Sequence, residues 1–269
     1  MAVLGKSQGL HRECKAGWYT PSVPNKKDHP LMEFPMADLS AFPITAHWPA
    51  RHPDRIQLYS LPTPNGVKVS ILLEELGLPY EPHRIDIMKN ETSTPAFLSL
   101  NPNGKIPAII DPDGPGGRPI GLFESGAILL YLADKTGRFV PADPAGRWEA
   151  IQWVFFQMAA IGPMFGQVGF FNKFAGKGYP DKRPLERYAG ESKRLLGVLE
   201  TRLDGRDWLA GQDYGIADIA TLGWVRNLIT FYDARDLVAY DALKRVPAWL
   251  DRCLARPAVQ RGLTLPTAG

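Results

Sequence analysis

Ile56-Gln57-Leu58-Tyr59, Pro62-Thr63-Pro64-Asn65-Gly66 and Val67-Lys68-Val69-Ser70-Ile71-Leu72-Leu73-Glu74-Glu75-Leu76 follow one another in a single stretch of this chain. The first piece reads as a short strand and the second as a turn rich in Pro, Asn and Gly. The third predicts a helix, with Val69, Leu72, Leu73 and Leu76 on one face and Lys68, Glu74 and Glu75 on the other. Gly77 ends it, with Pro79 just beyond. A second strand over about residues 80–87 completes a strand-helix-strand unit, which requires parallel strands and a right-handed crossover.

Downstream, a short helical piece at Pro95 to Leu100 precedes the strand Lys105-Ile106-Pro107-Ala108-Ile109-Ile110. The Gly/Pro-rich loop Pro112 to Pro119 then joins two strands as a hairpin. Glu124-Ser125-Gly126 opens an apolar helix, Ala127 to Lys135, that stops at Gly137. This order is thioredoxin-like: βαβ, then a helix, then ββα. From Pro141 onward the pattern is helical throughout, over Gly146 to Phe171, Pro184 to Leu203, Ile216 to Tyr232 and Val246 to Ala255. The expected fold class is an α/β N-terminal thioredoxin-like domain over 56–140, followed by an all-α helical bundle domain over 146–262.

Residues 1–55 hold seven prolines and no apolar periodicity, which predicts an extended N-terminal arm. They also carry Trp18, Tyr19, Phe34, Phe42 and Trp48, so part of the arm is expected to dock on the body or on a partner subunit. The 269 residues are 45% hydrophobic and 22% charged, which excludes a disordered chain or a coiled coil. The net charge is +3, two of it in residues 1–55, so the body is nearly neutral and no nucleic-acid surface is expected. Residues 150–172 carry no charge, yet Gln152, Gln157, Gln167, Asn172 and Pro163 suit a bundle core helix, bent or broken at Gly162-Pro163, better than a membrane span. No secretory signal is visible at the N-terminus, and the expected location is the cytoplasm.

Cys14 and Cys253 lie far apart, so neither a disulfide framework nor a thiolate metal site is expected. No histidine follows His83, which excludes a Ser/His/Asp triad in the second half. Three short motifs remain. Thr63-Pro64-Asn65-Gly66 sits where the first strand turns into the first helix, where amide N–H groups and the helix dipole favour an anion. It offers a hydroxyl and a carboxamide as donors to a thiolate, although Pro-Asn-Gly is also ordinary turn chemistry. Pro107 at the start of a core strand marks a special turn, often with a cis bond, that leaves the Ile106 backbone free to pair with an extended ligand; a loop proline with no partner reads the same. Glu124-Ser125 at a helix start suits capture of an amino-acid head group, carboxylate at Ser125 and ammonium at Glu124, while capping alone accounts for both.

Taken together, residues 56–260 resemble the glutathione transferase superfamily. The resemblance rests on Ile56 to Tyr59, Asn101-Pro102-Asn103-Gly104-Lys105-Ile106-Pro107, Phe123-Glu124-Ser125-Gly126-Ala127-Ile128 and Tyr214-Gly215-Ile216-Ala217-Asp218. Thr63 to Val69, Gly162-Pro163-Met164-Phe165-Gly166-Gln167 and Glu186-Arg187-Tyr188 are more narrowly similar to the nu class, bacterial disulfide-bond oxidoreductases related to fungal Ure2-like proteins. That resemblance implies glutathione or glutathione disulfide as co-substrate, no metal, and a homodimer. It implies that Thr63 and Asn65 orient or polarise the thiol, Ile106 pairs through its backbone, Glu124 and Ser125 hold the γ-glutamyl group, Arg187 reaches a carboxylate and Lys105 meets the glycyl carboxylate. Tyr59 or Ser60 is the alternative thiol partner, by analogy with other classes.

Two departures stand out. Gly215 replaces the usual Ser or Thr of a capping box in the bundle, with Asp218 keeping the other half. The class tends to have a Gln after the second strand, where this chain offers Thr92 and Ser93.

A free thiol with pKa about 8.5 is a poor nucleophile at neutral pH, and a helix N-terminus with one or two donors favours its thiolate by about 1.4–2.7 kcal/mol. With no cysteine in the turn, disulfide exchange requires two glutathione molecules. The expected function is glutathione-dependent reduction of small disulfides. The alternatives are conjugation of glutathione to an apolar electrophile, with Phe165, Phe170, Phe171 and Phe174 as a candidate wall, and a non-enzymatic glutathione-binding regulator.

Overall fold

The computed structural model describes residues 38–267. The earlier part of the expected arm, with Cys14, Trp18, Tyr19 and Phe34, lies outside the described residues.

Residues 38–55 do not run extended. They form a 3-10 turn, Leu39–Ala41, and the single-turn helix α1, Ile44–His47. Leu39 and Ile44 are buried with Phe42 and Trp48 against Tyr59, Ile85, Phe97 and Ile110. The apolar side chains prevail over the absence of periodicity, because the sheet behind them supplies a face to cover.

That sheet is built from β1, Ile56–Ser60, α2, Gly66–Leu76, and β2, Tyr80–Arg84, then α3, Pro95–Leu100, then β3, Ala108–Asp111, and β4, Ile120–Phe123. The strand order is β2-β1-β3-β4, with β1 parallel to β2 and antiparallel to β3, and β3 and β4 forming the hairpin. Helix α4, Ser125–Thr136, closes the thioredoxin-like unit at Gly137, which takes a left-handed φ of 65°. The remainder is helical: α5, Pro144–Phe156, α6, Gly162–Asn172, α7, Arg183–Arg202, α8, Ile216–Ile229, α9, Arg245–Leu254, and α10, Pro257–Gly262. The expected fold class is therefore the observed one.

Two expectations within these elements need correction. The apolar spacing places Lys68 on the polar face of α2, yet it is fully buried. Its ammonium is covered by Ser125 of α4 and by Gln157 and Met158 of the helix that follows α5, at 3.1, 2.5 and 3.4 Å. The C-terminal helices cover Ser70, Glu74 and Glu75 further along. Ser70 Oγ donates to the Gly262 carbonyl of α10 at 2.6 Å, and Glu74 and Glu75 pair with Arg261 and Arg256 at 2.6 Å each. Of the two readings of the uncharged helix, bent or broken at Gly162-Pro163, the break does not occur: the helix continues through Pro163. Its departure from α geometry falls one turn earlier, as a π turn over Gln157–Ile161 in which the Gly162 N–H reaches the Gln157 carbonyl. Pro163 has no N–H for the preceding turn and its ring crowds the carbonyl four residues back, so that turn widens while the helix continues. Val154, Ile161, Phe165 and Val168 of this run are core residues of the bundle.

At the start of α8, Gly215 offers no side chain, but its N–H donates to Asp218 Oδ2 at 3.1 Å, so the acidic half of the capping box is kept. Asp218 Oδ1 also accepts from Leu209 N at 3.0 Å and Trp249 Nε1 at 2.7 Å.

Candidate active site

The turn between β1 and α2 is held tightly. A Cβ at Gly66 would overlap the Leu61 carbonyl oxygen and lie 2.6 Å from Ser60 Oγ, so only glycine lets the chain enter the helix here. Thr63 Oγ1 accepts the Gly66 N–H at 3.3 Å and the Thr63 carbonyl accepts the Val67 N–H at 3.0 Å. The hydroxyl proton of Thr63 is thus left to donate elsewhere. Asn65 stands at the N-cap position but makes no capping bond. Its Oδ1 instead accepts from Trp224 Nε1 on α8 at 2.9 Å. An indole N–H can only donate, so the atom facing it is the carbonyl oxygen and the NH₂ group is turned away. Gly223 permits this approach, because a Cβ there would lie 2.9 Å from Val67 Cγ2 and 3.2 Å from the Pro64 carbonyl oxygen.

Thr63 and Asn65 border a cavity of about 740 Å³, shared with Thr92, Ser93, Asn103, Gly104, Lys105, Ile106, Trp224 and Tyr232. The Ile106–Pro107 peptide is cis. Neither the N–H nor the C=O of Ile106 enters a hydrogen bond among the described residues. Thr92 and Ser93, the nearest candidates for the class's Gln, line this cavity.

Glu124 and Ser125 stand beside it rather than in its lining. Ala108 pairs with Phe123, which places Glu124 opposite Pro107 and next to Ile106. Glu124 is exposed and takes φ 69°, ψ 110°, a left-handed value that costs a non-glycine residue about 1–3 kcal/mol. Neither side chain caps α4. Ser125 is buried and its Oγ accepts from Lys68 Nζ at 3.1 Å. Arg187 lies exposed on α7 and is not part of the cavity wall.

The alternative thiol partners are elsewhere. Tyr59 is fully buried on the opposite face of the sheet, stacked on His83 at 4.7 Å between ring centres, and burial pushes its hydroxyl pKa up. Ser60 is fully buried and its Oγ lies 3.4 Å from the Leu61 carbonyl. Cys253 is buried and desolvation raises its thiol, so it is no nucleophile. Of the candidate aromatic wall, Phe165 is core. Phe170 and Phe171 pack with Tyr179, whereas Phe174 packs on Phe231 and Tyr232, the last of which reaches the cavity.

Sequence reasoning missed Trp224 and Lys68. A hydrogen-bonding indole in the otherwise apolar α8, and a lone cation within the apolar run Val67 to Leu73, were the available signals.

The description "Glutathione S-transferase, N-terminal domain" matches residues 55–134, and "Glutathione S-transferase, C-terminal domain" matches residues 154–257. The disulfide-bond oxidoreductase YfcG of Escherichia coli is 44% identical over 209 residues, spanning 77% of this chain and 94% of that protein. The chain belongs to the glutathione transferase family. The disulfide-bond oxidoreductase YghU of the same organism is 40% identical over 222 residues, 79% of this transferase-family chain and 74% of that protein. Among solved structures, a glutathione transferase from Burkholderia graminis with two glutathione molecules bound per subunit matches with a TM-score of 0.86 and 67% identity, over 88% of this chain and 98% of that one. One from Pseudomonas putida with one glutathione disulfide bound per subunit matches with a TM-score of 0.84 and 62% identity, over 85% and 99%.

Proposed function

We propose that this protein is a glutathione-dependent disulfide-bond oxidoreductase that works with bound glutathione thiols rather than a protein cysteine. The observation that carries the reading is the Asn65 carboxamide. Trp224 holds its oxygen, leaving the NH₂ group to donate to a sulfur at the N-terminus of α2, beside the Thr63 hydroxyl. Both donors and the helix dipole favour thiolate over thiol. In the first step the bound thiolate attacks one sulfur of a small disulfide, the S–S bond breaks and the other sulfur leaves as a thiolate that takes up a proton. A second glutathione thiolate then attacks the mixed disulfide, forming glutathione disulfide and releasing the remaining thiol. The size of the cavity and the two glutathiones, or the glutathione disulfide, in the Burkholderia and Pseudomonas proteins support this use of the site.

In this reading the free backbone of Ile106 pairs with the peptide portion of glutathione, Lys105 meets the glycyl carboxylate, Ser125 and Glu124 take the carboxylate and ammonium of the γ-glutamyl group, and Arg187 reaches an outer carboxylate. The protein acts in the cytoplasm, where thiols are kept reduced. It works as a homodimer, supported by the exposed Trp148 and Phe155, seven residues apart on one side of α5. Conjugation to apolar electrophiles is the second reading, favoured by the exposed rings of Phe174 and Phe231 next to Tyr232 at the cavity.

Turnover of hydroxyethyl disulfide with glutathione tests the proposal. Asn65→Ala is expected to lower kcat about 10²-fold with the fold intact, while Cys14→Ser combined with Cys253→Ser keeps activity. Unchanged turnover in Asn65→Ala, or loss of turnover in a folded double cysteine variant, overturns it. A rate with 1-chloro-2,4-dinitrobenzene that exceeds the disulfide rate favours the second reading.

A further inference from the structure

Lys68 is a buried cation for which the chemistry above has no use. Its Nζ donates to Ser125 Oγ at 3.1 Å and Gln157 Oε1 at 2.5 Å, and lies 3.4 Å from Met158 Sδ. All three acceptors are neutral, and no ion pair to Lys68 forms among the described residues. The charged group that acts on it is Glu124, at the exposed start of α4, which favours the protonated form. Gln157 and Met158 come from the π turn, and on its own helix Glu74 and Glu75 are engaged by Arg261 and Arg256.

A buried ammonium without a contact counter-ion is costly, and a ligand anion relieves that cost. Ser125 supplies the place for one. Its oxygen accepts from Lys68, so its own proton is left to donate, and the nearest protein acceptor is the weak thioether of Met158 at 3.7 Å. This hydroxyl stands in the first turn of the twelve-residue helix α4, where amide groups and dipole also favour negative charge.

We infer that Lys68 is the buried counter-charge for the ligand carboxylate held at Ser125, and that the ligand binds preferentially to the chain in which Lys68 is protonated. This rests on the glutathione reading of the site. Carboxylate binding and protonation of Lys68 are then reciprocal: each strengthens the other by the same factor. Burial pulls the Lys68 ammonium down to about 7, with Glu124 opposing. Affinity is therefore flat below neutral pH and falls as pH rises, by up to about tenfold per pH unit, until the higher pKa of the liganded state is reached.

Calorimetry with S-methylglutathione, which has no thiol to titrate, tests this between pH 6 and pH 8.5 in two buffers of different ionisation enthalpy. The full chain is expected to take up a proton on binding above neutral pH, with Kd rising in step. Lys68→Met is expected to bind more weakly at pH 6 and to keep only the proton uptake of the ligand's own amine, with a shallower rise in Kd. Lys68→Arg, which keeps a permanent charge, restores affinity without restoring the uptake that Lys68 adds to that of the amine. A wild-type Kd that does not change with pH, or uptake in Lys68→Met equal to that of the full chain, overturns the inference alone. Absence of binding at every pH overturns the glutathione reading and the inference with it. Thermal melting of both variants confirms that they are folded, and Lys68→Arg serves by itself should Lys68→Met not fold.

Discussion

Lys68 at the seam between the two lobes and Asp218 at the start of α8 are both fully buried ionisable side chains, held in opposite ways. Asp218 is closed on itself: two backbone N–H groups and the Trp249 indole all donate to its carboxylate. Lys68 meets neutral oxygens and a thioether. Burial shifts both toward neutrality, raising Asp218 to about 6 against its three donors and lowering Lys68 to about 7. The contrast teaches that a buried charge serves the fold when its partners are complete within the chain. It serves a ligand when they are not.

The largest effect that would sharpen this contrast is Asp218→Ala, which strands the Leu209, Gly215 and Trp249 donors. A loss of about 3–5 kcal/mol in urea unfolding is expected, and near-wild-type stability would break the comparison. Next comes Lys68→Met, with the opposite sign. The folded pKa of Lys68 lies below its unfolded value of about 10.5, so the wild type loses stability as pH falls from that value toward 7. Lys68→Met is free of this loss, and its advantage in urea unfolding should be small near pH 10 and reach a few kcal/mol at pH 7. An advantage that does not grow as pH falls contradicts the buried-charge account.

Trp224→Phe removes the donor that orients Asn65, along with one ring of the indole that borders the cavity. About a tenfold fall in kcat is expected, about 1.4 kcal/mol, together with a rise in the thiol pKa read from the pH profile of kcat. A merely structural role for Trp224 would leave that pKa in place. The smallest expected effect is Glu81→Ala, which releases the Arg51 and His52 N–H groups that bind its carboxylate at 2.8–3.0 Å. It should cost about 1 kcal/mol and raise protease sensitivity in residues 38–55 with little change in kcat.

The parts of the site that could be read in the chain are those written in consecutive residues. The strand, turn and helix from Ile56 to Leu76 place Thr63 and Asn65 at a helix start, Pro107 opens a strand, and Glu124-Ser125 opens a helix. The parts that could not be read depend on pairs far apart: Trp224 meets Asn65 across 159 positions, and Lys68 meets Ser125 and Gln157 across 57 and 89. A helical wheel marks Lys68 as solvent-facing because it knows only the helix's own faces, and the start of α4 and the π turn that cover its ammonium lie beyond its reach. The same limit explains residues 38–55. Proline content argued for an extended arm, whereas Ile44 and Trp48 fold onto a sheet face that needs covering.

The linear chain by itself determined the order of elements, the parallel strand pair with its hairpin, the helical second half and the three short motifs, because periodicity, turn chemistry and capping act between near neighbours. Only the tertiary structure decided which way the Asn65 amide faces and that Lys68 is a buried charge rather than a wet one. Both follow from desolvation and from the donor that a distant helix brings, and neither quantity exists until the two lobes are packed together.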